Sequence, residues 1–379
     1  MNTTTNTSAE DHGSIRINPK QWITNPDTGH ALLVHRYLSR QNPASFYSLV
    51  GGTNNDNEHT EQAARRLLAD RVGLETDLTK LHHWWMYGIT GQLSIRVLLT
   101  GESTTPVDHF QLGIDDRIIS ANWWPVPQIM RMVRSTPSPF TDSTLVAVCR
   151  VLPELIPHPR QDDVRAVLFE PGLLADGIDP DDAEDEAAAA FGVQTSTFQR
   201  YVDRLGFALL TGLFGDIDAT VQRLAITMES PVAFSDTPVL RQAWLAAHQM
   251  TARQTANDVL TQIRGRGVKT AVVGNLHEAQ LHSYRKLGFA ALLNSTVVSA
   301  HTQSVLPDPN MVRRCLEDLK VPAEHALYVT DSLDGALAAI TAGVPPVLIG
   351  SYDVTETGDP LHGHMIRLEM LDLLPGLIL

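Results

Sequence analysis

The sequence predicts an α/β protein in two parts: strands with an amphipathic helix over residues 14–135, and a parallel sheet with a run of helices after its first strand over residues 164–379. Three observations predict it. Short apolar runs that stop at a polar residue recur in the second part, as VRAVLFEPGLLAD (Val164–Asp176), KTAVVG (Lys269–Gly274) and ALYVT (Ala326–Thr330), with helical stretches between them. That alternation is the pattern of a parallel sheet. In the first part, strands lead through a glycine turn into an amphipathic helix, Gly51–Leu74. The chain of 379 residues is also long enough for two domains.

Composition narrows the function classes. Hydrophobic residues make up 43% and charged residues 19%, an ordinary globular balance, and no apolar run approaches a membrane span. The formal charge of −14 argues against a general nucleic-acid or anionic-membrane binder, while leaving room for a local basic pocket that holds a phosphate. Two cysteines far apart, Cys149 and Cys315, sit in apolar segments and read as buried free thiols of a reducing cytoplasm. The polar start, residues 1–13, has no apolar signal core and reads as a disordered tail.

From residue 14 the elements follow in order. Ala31–Arg36, Phe46–Val50 and Leu93–Thr100 read as strands. In the helix after Gly51, Ala63, Ala64, Leu67, Leu68 and Val72 recur at helical spacing and form the buried stripe. Residues 119–132 give a further strand and helix. Trp123 and Trp124 there, with Trp84 and Trp85, serve either core packing or stacking on a base. Prolines at 137, 139, 153, 157 and 159 around the apolar Leu145–Leu152 predict a proline-stiffened, partly helical join over residues 136–163. Residues 176–250 are helical in pattern, and the acidic run Asp179–Glu186 reads as a solvated helix start. Helices are predicted at Thr255–Arg266 and Asn310–Leu319 and a strand at Pro346–Gly350, and the apolar pattern of Met365–Leu379 is like the closing helix of the family that the second part resembles below. His277 and His282 read as exposed residues on a helix.

The first part resembles the Nudix box. Gly52, Glu58, Arg66, Leu68, Gly73 and Leu74 fall on the positions of Gly, five residues, Glu, seven residues, Arg-Glu-apolar-x-Glu-Glu-x-Gly-apolar. The resemblance implies an α/β/α sandwich with a mixed sheet and a magnesium site of clustered glutamates that activates water beside a diphosphate. Here Leu67, Asp70 and Arg71 stand at the three metal-binding glutamates, leaving Asp70 as a weak ligand. Glu58 and Arg66 correspond to the family's structural pair and are also carried as ligand-binding candidates.

The second part resembles the haloacid dehalogenase superfamily, with a cap inserted after the first strand. Glu170 stands where the nucleophilic Asp belongs and the general acid/base Asp is missing before Gly172. A glutamate carries its carboxylate about 1.5 Å further out, enough to spoil in-line attack. At the second motif Gly274 replaces the hydroxyl residue before Asn275, leaving a backbone amide to bind ligand. At the third, Leu306 replaces the lysine before Pro307-Asp308-Pro309, removing the cation that would stabilise phosphoryl transfer. At the fourth, Asp331 and Ser332 remain, Thr330 replaces a glycine, Ala336 replaces the second acid, and Asp334 lies off register.

The candidate catalytic residues are therefore Glu170 and Asp331, the ligand-binding ones Asn275, Gly274, Ser332, Asp334, Glu58 and Arg66, and the metal-binding ones Glu170, Asp331 and Asp70. Joint loss at Leu67, Arg71, Leu306 and Ala336 leads to the reading of a catalytically degenerate fusion. It would bind a nucleotide, a phosphorylated metabolite or a protein partner in a regulatory or accessory role. No cofactor is expected on this reading. The alternative is a magnesium-dependent phosphohydrolase with a rebuilt site: Glu170, Asp331 and Asp334 in one half, Glu58, Asp70 and Asp56 in the other. A third reading is a scaffold that forms a homodimer.

Overall fold

The computed structural model describes residues 16–378 apart from 40–41, 56–57, 88–92, 114–116, 136–137, 160–162, 178–179, 233–235 and 351–364. The N-terminal tail and Asp56 thus lie outside the described residues. The chain divides into two compact units, Met1–Val148 and Cys149–Leu379, at a point inside the segment read above as a join.

In the first unit, β1 (Arg16–Asn25), β2 (His30–Ser39), β3 (Asn42–Ser48) and β4 (Val50–Gly51) precede helix α1 (Thr60–Val72). Strands β5 (Thr79–Tyr87), β6 (Leu93–Glu102) and β7 (Ile118–Pro125) and helix α2 (Val126–Val133) follow it. The sheet is mixed, in the order β3-β2-β1-β6-β5, with β4 on β1, β7 on β2, and β1 parallel to β6. Helix α1 forms because its apolar positions fall on one stripe. Ala63, Ala64, Leu67, Leu68 and Val72 are all buried, each larger side chain worth roughly 1.5–3 kcal/mol in burial. It ends where Gly73 turns left-handed (φ 67°) and its amide donates to Ala69 and Leu68 carbonyls, a conformation that disfavours residues with a Cβ.

The tryptophans of β7 take the packing role. The Trp123 indole donates to Thr105 O at 2.9 Å beside Phe110, and Trp124 lies edge-on to Tyr47. Trp84 and Trp85 belong to β5, and their side chains fall outside the described residues.

Helix α3 (Asp142–Val151) leads into the second unit. Strand β8 (Ala166–Phe169) comes first, then a short hairpin strand β9 (Ala175–Gly177) and the cap helices α4 (Pro180–Ala190), α5 (Thr195–Leu210), α6 (Ile217–Thr227) and α7 (Thr237–Ala247). The chain returns through β10 (Met250–Ala252), which pairs with β9, and α8 (Ala256–Gly265). It continues with β11 (Lys269–Gly274), α9 (Glu278–Tyr284), β12 (Ser295–Val298), α10 (Ser299–Thr302), α11 (Asn310–Leu319), β13 (Ala326–Thr330), α12 (Leu333–Thr341), β14 (Pro346–Ile349) and β15 (Ile366–Leu368). The sheet runs β12-β11-β8-β13-β14-β15 with every pair parallel. All four residues of β8 are buried, as a strand covered on both faces requires. Strand order reverses at β8, since the chain lays β11 and β12 on one side and β13 to β15 on the other. The carboxyl end of β8 is therefore the place where an open α/β sheet presents a ligand crevice.

Two expectations are corrected. The closing segment is not an α-helix: Ile366–Leu368 adds a strand to β14, and Leu371–Leu377, which contains Pro375, is a 3-10 turn. His277 is buried, not exposed. Its Nδ1 accepts the Ala279 amide at the start of α9, and its ring lies among Trp244 and His248. An imidazole gives up water readily when a backbone amide and two rings replace it. Both cysteines are buried free thiols, as expected, and burial pushes each up to about 12. Among the described residues no helix is long and apolar enough to cross a membrane.

Candidate functional site

Strand β8 delivers Glu170 to the crevice as the first residue beyond its end. The Glu170 amide donates to Val329 O at 2.9 Å, which extends the pairing with β13, and Pro171 then starts a 3-10 turn. The carboxylate is held in place. Thr330 Oγ1 donates to Glu170 Oε2, and Ser332 Oγ lies 2.9 Å from the same oxygen and 3.1 Å from Oε1. Both hydroxyls are themselves fixed: Thr330 Oγ1 accepts the Ser332 amide at 2.9 Å, and Ser332 Oγ accepts the Gly335 amide at 3.0 Å, capping α12.

Two glycines make this closeness possible. A Cβ on Gly335 would stand 2.5 Å from Glu170 Oε2 and 3.0 Å from Ser332 Oγ. A Cβ on Gly274 would overlap Pro171 Cδ and stand 3.1 Å from its Cγ. The hydroxyl residue that the resemblance places before Asn275 is thus excluded by the proline after Glu170.

Electrostatics at the crevice are one-sided. Burial raises the Glu170 carboxyl above the usual range; the Thr330 and Ser332 hydroxyls pull it down in part; Asp331 and Asp334 raise it further. No cation enters that balance among the described residues. Leu306 is buried in the apolar cluster with Met311 and Val312, and its amide donates to Asn275 Oδ1 at 3.0 Å. Asn275 therefore fixes the loop before α11. Asp308 accepts from Ser304 Oγ at 2.5 Å and from the Asn310 amide at 2.9 Å. Lys269, at the far end of β11, donates to Leu319 O.

The structure therefore brings Glu170, Gly274, Ser332, Asp331 and Asp334 to one sheet edge and leaves Asn275 beside it as a loop tie. Thr330, Pro171 and Gly335 also build this cluster, and sequence reasoning missed their part. Thr330 was noted only as a replaced glycine, and nothing in its neighbours showed that its hydroxyl meets Glu170 from 160 positions away.

Among the described residues no group of three or more His, Cys, Asp and Glu side chains is disposed to hold a metal. Glu170 turns its oxygens to two hydroxyls, and Asp331 is exposed. The set does not fit Mg²⁺, which asks for near-octahedral oxygen ligation.

The N-terminal candidates form a separate arrangement. Arg66 meets Glu58 in a fork, at 2.7 and 2.8 Å, and Glu58 also accepts the Asn55 amide at 2.8 Å. The pair ties the loop to α1 and holds Glu58 below its ordinary range, chiefly through the Arg66 hydrogen bond. Asp70 is exposed, 3.6 Å from Arg66 Nη1. Arg71 donates to Gly51 O, and Leu67 is buried against Gly52. One exposed carboxylate beside a guanidinium does not fit Mg²⁺ either.

Residues 216–349 match the family described as haloacid dehalogenase-like hydrolase. A putative pyrophosphatase, PpaX, of Caldanaerobacter subterraneus subsp. tengcongensis is 33% identical over 98 residues, 26% of this chain. The chain spans 44% of the length of that relative. Among solved structures, CbbY from Rhodobacter sphaeroides in complex with phosphate is 19% identical with a TM-score of 0.37, covering 56% of this chain and 96% of its own. A Nudix hydrolase from Nitrosomonas europaea is 16% identical with a TM-score of 0.30, covering 36% of this chain and 86% of its own. Residues 216–349, which include most of the parallel sheet beside the crevice, are thus similar to the haloacid dehalogenase-like hydrolases, and the box helix on its mixed sheet is the part of the chain that resembles the Nudix box.

Proposed function

We propose that this fusion is a binding protein, with a regulatory or accessory role, whose haloacid dehalogenase-like crevice does not turn over phosphoesters. One observation carries the reading: the Glu170 carboxylate is already occupied by the Thr330 and Ser332 hydroxyls, with acids and no cation as its electrostatic neighbours. A phosphoryl group arriving there meets negative charge and no compensating ammonium, and in a partly desolvated pocket that repulsion is worth several kcal/mol. An in-line nucleophile must also be free to approach, whereas this one would first have to break its hydroxyl contacts. On this reading a phosphorylated small molecule or a protein partner is bound away from the Glu170 carboxylate.

A second reading is favoured by the comparisons. The matched family is described as hydrolases and the relative as a putative pyrophosphatase, which supports a magnesium-dependent phosphohydrolase. In that reading Glu170, Asp331 and Asp334 rearrange around a metal. Phosphate release from p-nitrophenyl phosphate, sugar phosphates and pyrophosphate in the presence of excess Mg²⁺ separates the two. The first reading expects no release above a Glu170→Gln control. Turnover abolished by Glu170→Gln would establish the second. Calorimetric titration with Mg²⁺ checks the same point without substrate: a binding isotherm lost in Glu170→Gln contradicts the proposal.

A further inference from the structure

Two imidazoles face each other where the cap rests on the core. His248 ends α7, the last cap helix, just before the chain returns through β10 at Met250. His277 opens α9 in the core, a short step beyond β11. Their ring centroids lie 4.4 Å apart, edge to face, and the Trp244 indole lies 4.0 Å from His248 and 5.7 Å from His277. Hydrogen bonds fix the tautomers. His248 Nδ1 lies 2.8 Å from Trp244 O, and a carbonyl only accepts, so Nδ1 carries a proton and Nε2 is the nitrogen left to titrate. His277 Nδ1 accepts the Ala279 amide at 3.2 Å, which only a neutral ring can do.

The surroundings favour the neutral pair. His277 is buried and His248 partly exposed, so a proton from solvent reaches the pair on the cap side. Burial is the largest influence on both rings and lowers both. The Trp244 carbonyl and then Glu184 on α4 pull His248 part of the way back, whereas the one charge acting on His277 is His248 itself, which lowers it further. Other charged groups on the packed elements are engaged elsewhere. Asp185 on α4 accepts from Thr195 Oγ1, Asp218 on α6 meets Arg241 of α7 at 3.6 Å, and Glu278 on α9 meets His301 at 3.1 Å. His282 on α9 has Lys286, Arg241 and Arg285 as its charged neighbours, and Asp176 on β9 meets Arg253 at 2.7 Å. Two cations at the spacing of these rings repel, and a proton on His277 Nδ1 would set one N–H against the Ala279 N–H.

We propose that His248 and His277 form an acid-operated latch between cap and core: neutral, they let α7 lie on α9, and on taking up protons they drive the cap away about β9 and β10. The first proton goes to His248 Nε2, where Glu184 attracts it. The second goes to His277 Nδ1, which then releases the Ala279 amide. The lever is short. Strands β9 and β10 pair at Met250 with Gly177 and at Ala252 with Ala175, and the Met250 amide donates to Ser283 Oγ of α9 at 2.8 Å. A small parting of α7 from α9 beside that ribbon therefore turns the whole cap, as a hinge does. A further touch of cap on core, Gly212 against Ala300 O, holds no titratable group. Both imidazoles are lowered from 6.5 in the folded chain, so the contact is firm above 6.5 and weakens as pH falls below it. Because β9 follows closely on Glu170, the cap's angle sets access to the crevice whether or not hydrolysis occurs there.

The test is hydrogen exchange of the full-length protein, read by mass spectrometry at about pH 7.5 and about pH 5.5, with each rate corrected for the intrinsic effect of pH on amide exchange. The expected result is that amides of α7 and α9 lose about tenfold of their protection at the lower pH while those of β8 and β11 keep theirs. His277→Asn retains an acceptor for the Ala279 amide and does not titrate, so protection of α7 in it should change by less than about twofold between the two conditions. His248→Gln should behave likewise. Protection of α7 and α9 in the wild type that is the same at both pH values overturns the proposal. So does a loss shared equally by β8 and β11, which is general acid unfolding, and so does an undiminished loss in both variants. The wild-type comparison can overturn the latch by itself, so the outcome does not hang on a variant that misfolds. No substrate or metal enters the measurement, which keeps it apart from the question of turnover.

Discussion

Restoring a hydroxyl at residue 274 is the sharpest way to ask whether the crevice was closed by its own packing. In Gly274→Ser the new Cβ would overlap Pro171 Cδ, stand 3.1 Å from its Cγ and lie 3.4 Å from Glu170 Cγ. A proline ring has no rotamer by which to retreat, and β11 is held on both sides by β8 and β12. Relief must come from the backbone of the turn that carries Glu170. Overpacking of this kind costs roughly 1–3 kcal/mol. Pro171→Ala removes the obstructing ring atoms, so in the double variant Gly274→Ser should cost about 1 kcal/mol less than it does in the wild-type background. Urea unfolding followed by circular dichroism, completed as a double-mutant cycle, measures both numbers. A single variant within about 0.5 kcal/mol of wild type, or a cycle with no coupling, refutes the claim that Pro171 excludes a hydroxyl. A single variant that folds and gains magnesium-dependent phosphatase activity refutes the broader reading as well.

Three further outcomes are expected. Gly335→Ala places a Cβ 2.5 Å from Glu170 Oε2 and should lower stability by about 2–3 kcal/mol; an unchanged urea midpoint contradicts the described closeness. For Glu170, burial first and then the Asp331 and Asp334 charges raise the folded carboxyl above 4.5, so its neutral form contributes stability that is full below 4.5 and lost as pH rises through the folded value. Glu170→Gln keeps the neutral form at every pH, so its melting temperature should exceed that of wild type at pH 8 and converge with it near pH 4, and a difference independent of pH would sink this reasoning. Lys20 is a base lowered to about 7 from 10.5, so the unfolded chain binds the extra proton between those values and native stability rises across that window. Lys20→Met should therefore stabilise the protein most at pH 6, by roughly 1–3 kcal/mol after allowance for solvent screening, and least above pH 10. Equal melting shifts at both ends would contradict the lowered titration of Lys20.

Much of the architecture was determined by local sequence. KTAVVG, ALYVT and Asn310–Leu319 form elements with the predicted ends, because an apolar run bounded by a turn former, or a stripe at helical spacing, carries its own boundaries. The same holds for α1, whose buried stripe and Gly73 stop signal lie within one stretch of chain. The closing segment was misread because Leu371–Leu377 is apolar enough for a helix while Pro375 and the pairing of Ile366–Leu368 with β14 decide otherwise. Strand pairing is a fact about a partner, not about the segment itself.

The site divides along the same line. Which charged groups the motifs lack, at Glu170, Gly274, Leu306 and Arg71, was written in the order of residues. What occupies the space instead was settled only when β13 laid Thr330 and Ser332 beside Glu170, when β11 set Gly274 under Pro171, and when α7 and α9 brought His248 against His277. Hydrogen bonds, overlap and repulsion act over a few ångströms. Residues tens or hundreds of positions apart reach that range only through the packed fold, so this chemistry became visible at the tertiary level.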